Sequence, residues 1–493
     1  MKTVFPFKTK NNNYYVYFLK EQILTLSNAN LNILIEESLD NKFHNNNLGI
    51  SSSEELNLTL LSDFKANGYF EEIDIEKNFN GSITEHQLFK IFSNIKQITF
   101  EVTEKCNLNC TYCGYGEFYE YNEKRAKNTL DVTIAKKLLD YLLVYWNSIH
   151  NTSHKRPIII SFYGGEPLLR PDIIKEIINY TKKLKLEHNY FVFNMTTNGT
   201  YLKKNTDFLV KNDIDLLISL DGNRANNRFR KYSNGKEAFN EIIENINYIK
   251  ENYPEYFRKK INFNAVLHNL NSVEEIKNFI QKEFHKTPTI SELRTSGIKN
   301  NKRDLFWLTY KNLNTSLHES ENYQMIESEL FLNTPIGELI TSFLSRGLYF
   351  NKGDYNDFYA NRINRSLIPT GTCLPMTKKL FITANGKLLP CERIDHEYSL
   401  GEVNTTGVDI HFGRIKDRYN TNYTKLLKLC SQCYNIYDCK QCMFYLNIND
   451  EVINCKGFTR YETYKEKLIF IVEYLEENPE KLDWIQQEYE YTF

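Results

Sequence analysis

The sequence predicts an alternating α/β fold, and three observations carry that prediction. From Gln97 onward, short runs rich in β-branched and aromatic residues recur: Ile98 to Val102, Pro157 to Phe162, Tyr190 to Met195, Asp215 to Leu220 and Lys260 to Leu267, with a weaker sixth around Glu292 to Ile298. Between them lie segments of helical period, Asp131 to Tyr145, Pro171 to Leu184 and Glu237 to Asn252, and such alternation implies parallel strands joined by crossover helices. The noteworthy polar and glycine motifs all fall just after a strand, where parallel α/β folds bind their ligands.

The chain ahead of this pattern reads differently. Tyr14 to Leu19 and Gln22 to Leu26 form a hairpin joined at Lys20-Glu21. A helix follows from Ser27 as cap through Leu31, Ile33, Leu34 and Ile35, and a second runs from Ser51-Ser-Ser-Glu-Glu55 through Leu56, Leu60 and Phe64 to Gly68. Hairpin plus helices predicts a winged-helix-like module over residues 1–92. Asn-rich patches at 11–13 and 45–47 read as turns.

At 493 residues the chain should hold two or three domains. Its 61 basic and 62 acidic residues give a net charge of -1, which offers no global attraction to nucleic acid or an anionic membrane. No apolar run reaches a membrane span, and the start has no signal-peptide core before Asn11. A cytoplasmic protein is expected, and in that reducing compartment ten cysteines argue for metal ligation over disulfides.

Cys106, Cys110 and Cys113 follow the first strand in the spacing C-x3-C-x2-C. Three thiols with no nearby His leave one coordination position open. A structural zinc site needs four ligands, whereas a 4Fe-4S cluster held at three corners presents its fourth iron to another molecule. A buried or zinc-bound trio is the alternative.

The stretch Cys-Asn-Leu-Asn-Cys-Thr-Tyr-Cys, with Tyr112 before its third cysteine, resembles the signature of the radical S-adenosylmethionine (SAM) enzymes. The resemblance implies a partial (β/α)6 TIM-like barrel over residues 93–300 and a cluster held by Cys106, Cys110 and Cys113. It further implies that SAM binds the open iron and is cleaved to methionine and a 5′-deoxyadenosyl radical. Gly164-Gly165-Glu166-Pro167 resembles the family motif that contacts the SAM amino group. Its glycines are expected to let the backbone approach the ligand and Glu166 to pair with a cation; a tight turn whose Glu caps the next helix is the alternative.

Asn198 with Gly199, and Ser219 with Asp221, match further strand-end motifs, expected to satisfy ribose hydroxyls and a carboxylate or else to form turns. Arg230 sits near the position where relatives carry an arginine that pairs with the SAM carboxylate, with Arg228 as a rival and Asn226 and Asn227 replacing the usual His-Asp pair. Tyr112 and the strand Ile261 to Val266 are candidates for the adenine wall.

The remaining cysteines lie after residue 370. Cys373, Gly386 and Cys391 bracket a predicted hairpin, Leu380 to Thr383 and Lys387 to Leu389 around Asn385-Gly386, which could bring Cys373 and Cys391 together. Cys430, Cys433, Cys439 and Cys442 follow as C-x2-C-x5-C-x2-C, and Cys455 is last. The order resembles the SPASM extension of peptide-modifying radical SAM enzymes, over residues 371–460.

Carried over, Cys373, Cys391 and Cys442 hold one auxiliary cluster and Cys430, Cys433, Cys439 and Cys455 another, making three [4Fe-4S] clusters with SAM as cosubstrate. The interval before the sixth cysteine is one residue shorter than usual, the fourth ligand of the first auxiliary cluster is unassigned, and a zinc ribbon is the alternative for Cys430 to Cys442. Glu392 stands where sulfatase-oxidising relatives carry an aspartate. Beside a negative cluster its pKa is expected to rise, suiting acid-base work; a salt bridge to Arg393 or Lys387 is the alternative. Residues 301–370 read as a bridging region of helices and an aromatic-rich loop, and 461–493 as a C-terminal helix.

Together these features imply a peptide maturase that abstracts hydrogen from a ribosomally made precursor and forms a thioether or carbon-carbon crosslink. The first block, CGYGEFYEYNEKR, looks like maturases paired with small bacterial precursor peptides. The N-terminal module resembles leader-peptide recognition elements that accept the leader as an added strand, and a flavodoxin- or ferredoxin-type donor would supply electrons. A sulfatase-maturing formylglycine enzyme, a peptide epimerase and a zinc-stabilised peptide-binding protein are the alternatives.

Overall fold

The computed structural model describes residues 1–40, 52–72, 81–120, 127–347 and 368–491. The Asn-rich patch at 45–47, the cap at Ser51 and most of the aromatic-rich loop before residue 368 lie outside the described residues.

Three antiparallel strands open the chain in the order β1 (Val4–Lys8), β2 (Tyr14–Phe18) and β3 (Ile23–Ser27). The predicted hairpin is β2–β3. Strand β1 escapes the sequence because Pro6 interrupts its pattern, and it is tolerated because β1 is an edge, where no ladder donor is required. Helix Ala29–Leu39 is capped by Asn28, whose side chain accepts from the Leu31 amide, instead of by the predicted Ser27. Helix Ser52–Ala66 follows.

The main sheet is built on six parallel strands in sequence order: β4 (Gln97–Thr103), β5 (Pro157–Gly164), β6 (Tyr190–Thr197), β7 (Asp215–Ser219), β8 (Ile261–Leu267) and β9 (Thr289–Glu292). Helices Val132–Trp146, Pro171–Thr181, Leu202–Lys211, Phe239–Asn252 and Val273–Phe284 connect them. Local chemistry fixes their ends: Asp131 and Ser272 cap by accepting from Thr133 and Glu275 amides, and His285 closes the last helix in the left-handed region at φ 52°. Strand β9 lies ahead of the predicted Glu292 to Ile298; Ile298 instead bridges to Tyr119 in the loop after the cysteines. Phe100, Phe162 and Phe263 are fully buried in this sheet, with Trp146 beneath.

The C-terminal hairpin joins the same sheet. Strands β10 (Leu380–Ile382) and β11 (Lys387–Leu389) pair antiparallel as predicted, followed by β12 (Gly401–Val403) and β13 (Val408–Ile410). Strand β10 also pairs parallel with β4, Phe381 opposite Thr99, so one ten-stranded sheet runs β13-β12-β11-β10-β4-β5-β6-β7-β8-β9. At the opposite margin, Arg294 just beyond β9 donates to the Arg393 carbonyl at 3.0 Å. The segment after β11 therefore touches the last parallel strand's end while β10 holds the first.

Helix Tyr461–Glu477 packs on the N-terminal sheet: Phe5 stacks on Tyr461 with ring centroids 4.5 Å apart. Glu476 accepts from Thr9, Asn11, Asn13 and Tyr15. Tyr434 and Ile436, beside Cys433, share this apolar cluster. Among the described residues no helix is long and apolar enough to cross a membrane.

Candidate active site

Cys106, Cys110 and Cys113 lie on the loop after β4, laid against the segment that carries Arg230. The Asn109 amide donates to the Lys231 carbonyl at 2.6 Å and the Thr111 amide to the Phe229 carbonyl at 3.3 Å. Cys113 N–H to Cys110 C=O at 3.1 Å keeps the loop tight. All ten cysteines are free thiols, and burial pushes Cys106 up to about 11 and Cys110 up to about 12.

The glycine motif grips the root of this loop. A Cβ on Gly165 would come within 2.0 Å of the Lys105 carbonyl oxygen, and one on Gly164, at φ +130°, within 2.3 Å of that of Thr103. Gly165 and Glu166 amides donate to the Thr103 and Lys105 carbonyls at 2.8 and 2.9 Å. The close approach predicted toward a ligand is, in the fold, an approach to the protein's own backbone.

Glu166 is fully buried, and its carboxylate accepts from the Leu168 amide at 3.0 Å, the Thr197 hydroxyl at 2.7 Å and the Asn198 amide at 2.7 Å. Burial pushes its pKa up to about 7 against the pull of those donors. It joins the ends of β5 and β6. Asn198 reaches on to the cysteines, its Nδ2 2.9 Å from Asn107 Oδ1 and 3.7 Å from Cys106 Sγ. Ser219 donates to Asn264 Oδ1 at 3.1 Å on the adjacent strand.

Asp221 is the hub after β7. Arg230 grips it bidentately, Nε to Oδ2 and Nη2 to Oδ1 both at 3.0 Å, while the Val266 amide donates to Oδ1 at 3.0 Å and the Tyr112 hydroxyl to Oδ2. The Asp221 and Arg230 side chains are 0% and 7% exposed. Burial opposes ionisation of Asp221, but the Arg230 charge and the hydrogen bonds from Arg230 outweigh it and hold the carboxyl well below the usual range. His268 stacks on Tyr112 with centroids 5.5 Å apart. Arg230, predicted to await a ligand carboxylate, thus has an internal partner in this structure, and Tyr112 is locked to the strand ends through its hydroxyl. Asn227 accepts from the Asp221 amide at 3.2 Å, while its Nδ2 is buried without a partner among the described residues.

The C-terminal cysteines form two groups. Cys430, Cys433, Cys439 and Cys455 line one small cavity whose other walls include Leu426, Leu429 and Phe458. The Met443 amide donates to the Thr372 hydroxyl oxygen at 2.7 Å, which joins the Cys442 and Cys373 segments, and the Tyr445 hydroxyl donates to the Arg393 carbonyl at 2.5 Å, which joins them to the Cys391 loop. Amides point at the sulfurs: Gly371 to Cys439 at 3.1 Å, Arg393 to Cys391 at 3.2 Å and Thr459 to Cys433 at 3.4 Å.

The Glu392 carboxylate pairs with Lys379 at 3.0 Å, a cation the sequence reading did not name. Burial opposes its charge, yet the Lys379 charge outweighs it and lowers the pKa; the rise expected beside a negative cluster concerns the cluster-loaded protein.

Comparison with known families places most of these cysteines within recognised domains. The family model of the radical SAM superfamily matches residues 100–282, and that of the SPASM iron-sulfur cluster-binding domain matches residues 373–434. The chain carries a radical SAM domain followed by a SPASM domain.

The radical SAM domain is similar to the cyclopropyl synthase TigE of Paramaledivibacter caminithermalis, 27% identical over 166 residues, 32% of this chain and 33% of that protein. A cysteine-type anaerobic sulfatase-maturating enzyme of Clostridium novyi is 22% identical over 351 residues, 70% of this chain and 83% of that enzyme. Among solved structures, native anSMEcpe with bound AdoMet and Kp18Cys peptide shares the fold, with a TM-score of 0.53 at 17% identity over 79% of this chain and 99% of that one. The chain spans between a third and a half of the length of the first curated relatives it matches.

The residues present fit iron-sulfur ligation in the SPASM domain: four thiols line one cavity with an amide aimed at two of the sulfurs. Among the described residues no group of three or more His, Cys, Asp or Glu converges on the position of a single metal ion; in a cluster each cysteine takes its own iron, so the thiols need not share one point. In the radical SAM domain the sequence missed His268 and Thr197. His268 and Thr197 stand at the ends of β8 and β6, so the strand-end rule that found Asn198 would have found them too.

Proposed function

We propose that the chain is a radical SAM peptide maturase. The reading is carried by one observation: the SPASM hairpin is hydrogen bonded to the first parallel strand at one margin while Arg294 ties its Cys391 loop to the end of the sixth. That arrangement supports a substrate segment lying between Cys106–Cys113 and Cys391. In this reading Cys106, Cys110 and Cys113 hold the SAM-binding cluster, Cys373, Cys391 and Cys442 a first auxiliary cluster, and Cys430, Cys433, Cys439 and Cys455 a second. A cluster bound there would supply the electron for reductive cleavage of SAM, and with it the means of taking hydrogen from a peptide.

The protein's own residues do the positioning. Gly164, Gly165 and Glu166 fix the cysteine loop to the ends of β5 and β6, and Asn198 reaches toward Cys106 and any group seated there. Asp221 holds Arg230 and Tyr112 in one orientation, and the unpartnered Asn227 amide offers a donor to SAM. Ser219 stands at the same level for a ribose hydroxyl. Glu392, kept ionised by Lys379, is placed to accept a proton.

Strand β3 has one strand neighbour among the described residues, and it exposes Ile23 at 44% and Leu26 at 73%. An extended leader peptide would add there, and a flavodoxin- or ferredoxin-type protein would deliver electrons. The test is anaerobic incubation of the iron-loaded protein with SAM, reductant and the precursor peptide. Loss of two hydrogens from the peptide supports crosslinking, and an unchanged mass with deuterium gained from heavy water indicates epimerisation. About twelve irons per chain are expected for three clusters; zinc in place of iron would sink the proposal.

Formylglycine formation is the second reading, favoured by the relative that spans 70% of this chain and by the Glu392 carboxylate beside Cys391. Conversion of a cysteine thiol to an aldehyde in a sulfatase peptide identifies it.

A further inference from the structure

The hydroxyls of Tyr419 and Tyr423 are enclosed and have no hydrogen-bond partner among the described residues. Both side chains sit on helix Phe412–Cys430, 1% and 2% exposed, with ring centroids 6.1 Å apart. Tyr419 also meets Phe444, two residues beyond Cys442, at 5.6 Å. Tyr419 and Tyr423 share an apolar cluster with Leu374, Met443 and Phe444, which flank Cys373 and Cys442 in the chain. Other tyrosines around these cysteines are satisfied: Tyr445 donates to the Arg393 carbonyl at 2.5 Å and Tyr398 bonds to Glu397. Buried phenols ordinarily find an acceptor, because leaving the donor unpaired is costly. Two orphaned donors side by side, next to two cysteines, mark a place where the acceptor arrives with a bound group.

We propose that Tyr419 and Tyr423 donate hydrogen bonds to the sulfur atoms of the iron-sulfur cluster held by Cys373, Cys391 and Cys442, and so raise its reduction potential. The inference rests on the assignment of that cluster under the proposed function. Donors to cluster sulfur stabilise the more negative, reduced state, so each one makes the cluster easier to reduce. Tyr419 and Tyr423 set the cluster's potential without touching substrate.

The test compares wild-type protein with the Cys373→Ala, Tyr419→Phe and Tyr423→Phe variants, each loaded anaerobically with iron and sulfide and titrated with titanium(III) citrate under electron paramagnetic resonance. The signal lost in Cys373→Ala identifies the cluster. If that variant keeps all iron and every signal, the assignment fails and the proposal with it. With the signal identified, each Phe variant is expected to show a tenfold less favourable reduction, a shift of about 59 mV to lower potential for one electron, with the other signals unmoved. Unchanged midpoints in both variants at wild-type iron content overturn the proposal and leave the assignment standing. Should the Phe variants lose the cluster, wild-type protein carrying tyrosine labelled with a magnetic oxygen isotope decides: hyperfine coupling of phenol oxygen to the reduced cluster is expected, and its absence overturns the proposal.

Discussion

Replacing Asp221 by Asn tests the hub that orders the SAM side of the barrel. The carboxylate is fully buried, meets Arg230 through two contacts of 3.0 Å, and accepts further from Val266 and Tyr112. An amide keeps one acceptor oxygen but turns an NH2 toward a donor and strands the Arg230 cation. Removing one member of a buried pair costs about 3–5 kcal/mol, which corresponds to at least about a hundredfold. Amide exchange at Val266, in protein without metals, is therefore expected to quicken by that factor.

Adding Arg230→Met should recover much of the loss, because the stranded charge leaves with it. The sign with pH follows from the depressed Asp221 pKa. The pairing contributes fully above the unfolded value near about pH 4 and is lost as the pH falls further, so Asp221→Asn flattens the acid side of the stability profile. A cost below about 1 kcal/mol, well under the range for breaking a buried pair, or a double variant as weak as the sum of the singles, would refute the reasoning.

Three further substitutions probe other links. A Cβ at residue 371 would lie 1.6 Å from the Cys439 carbonyl oxygen, so Gly371→Ala is expected to lower iron bound by the C-terminal cysteines while sparing the SAM-binding signal, read by iron analysis and paramagnetic resonance. Glu166, raised to about 7 by burial, contributes stability that is complete below about pH 4.5 and lost as the pH rises through 7. Glu166→Gln should remove that slope, roughly 3 kcal/mol, in urea unfolding followed across that range. Lys379→Met removes the cation that does most to offset burial of Glu392 and raises its pKa, so the acid limb of the proposed reaction should move to higher pH; an unmoved limb excludes Glu392 as the base.

Much of this architecture was legible because it is local. Runs such as Ile158 to Phe162 are buried or half-buried along their length and read as strands without further context, and the motif glycines follow them closely. The sixth strand was displaced because apolar Ile298 imitates a strand residue while serving a loop contact. Partner choice was less legible. Nothing in a period-two pattern says that β10 pairs with β4 or that Arg230 closes on Asp221, since such contacts depend on three-dimensional placement. Lys379 was within reach: continuing the hairpin register from Phe381 opposite Leu389 sets it across from Cys391, next to Glu392.

The pairing of β10 with β4 also dictates an order of assembly. Residues 97–103 leave the ribosome long before their neighbour at 380–382, so the first parallel strand waits with an unsatisfied flank through most of synthesis. A nascent chain in that interval is vulnerable to strand-to-strand association with other chains. A product cut off near residue 370 would keep that flank permanently bare, and a detached barrel domain is therefore a poor vehicle for biochemical work.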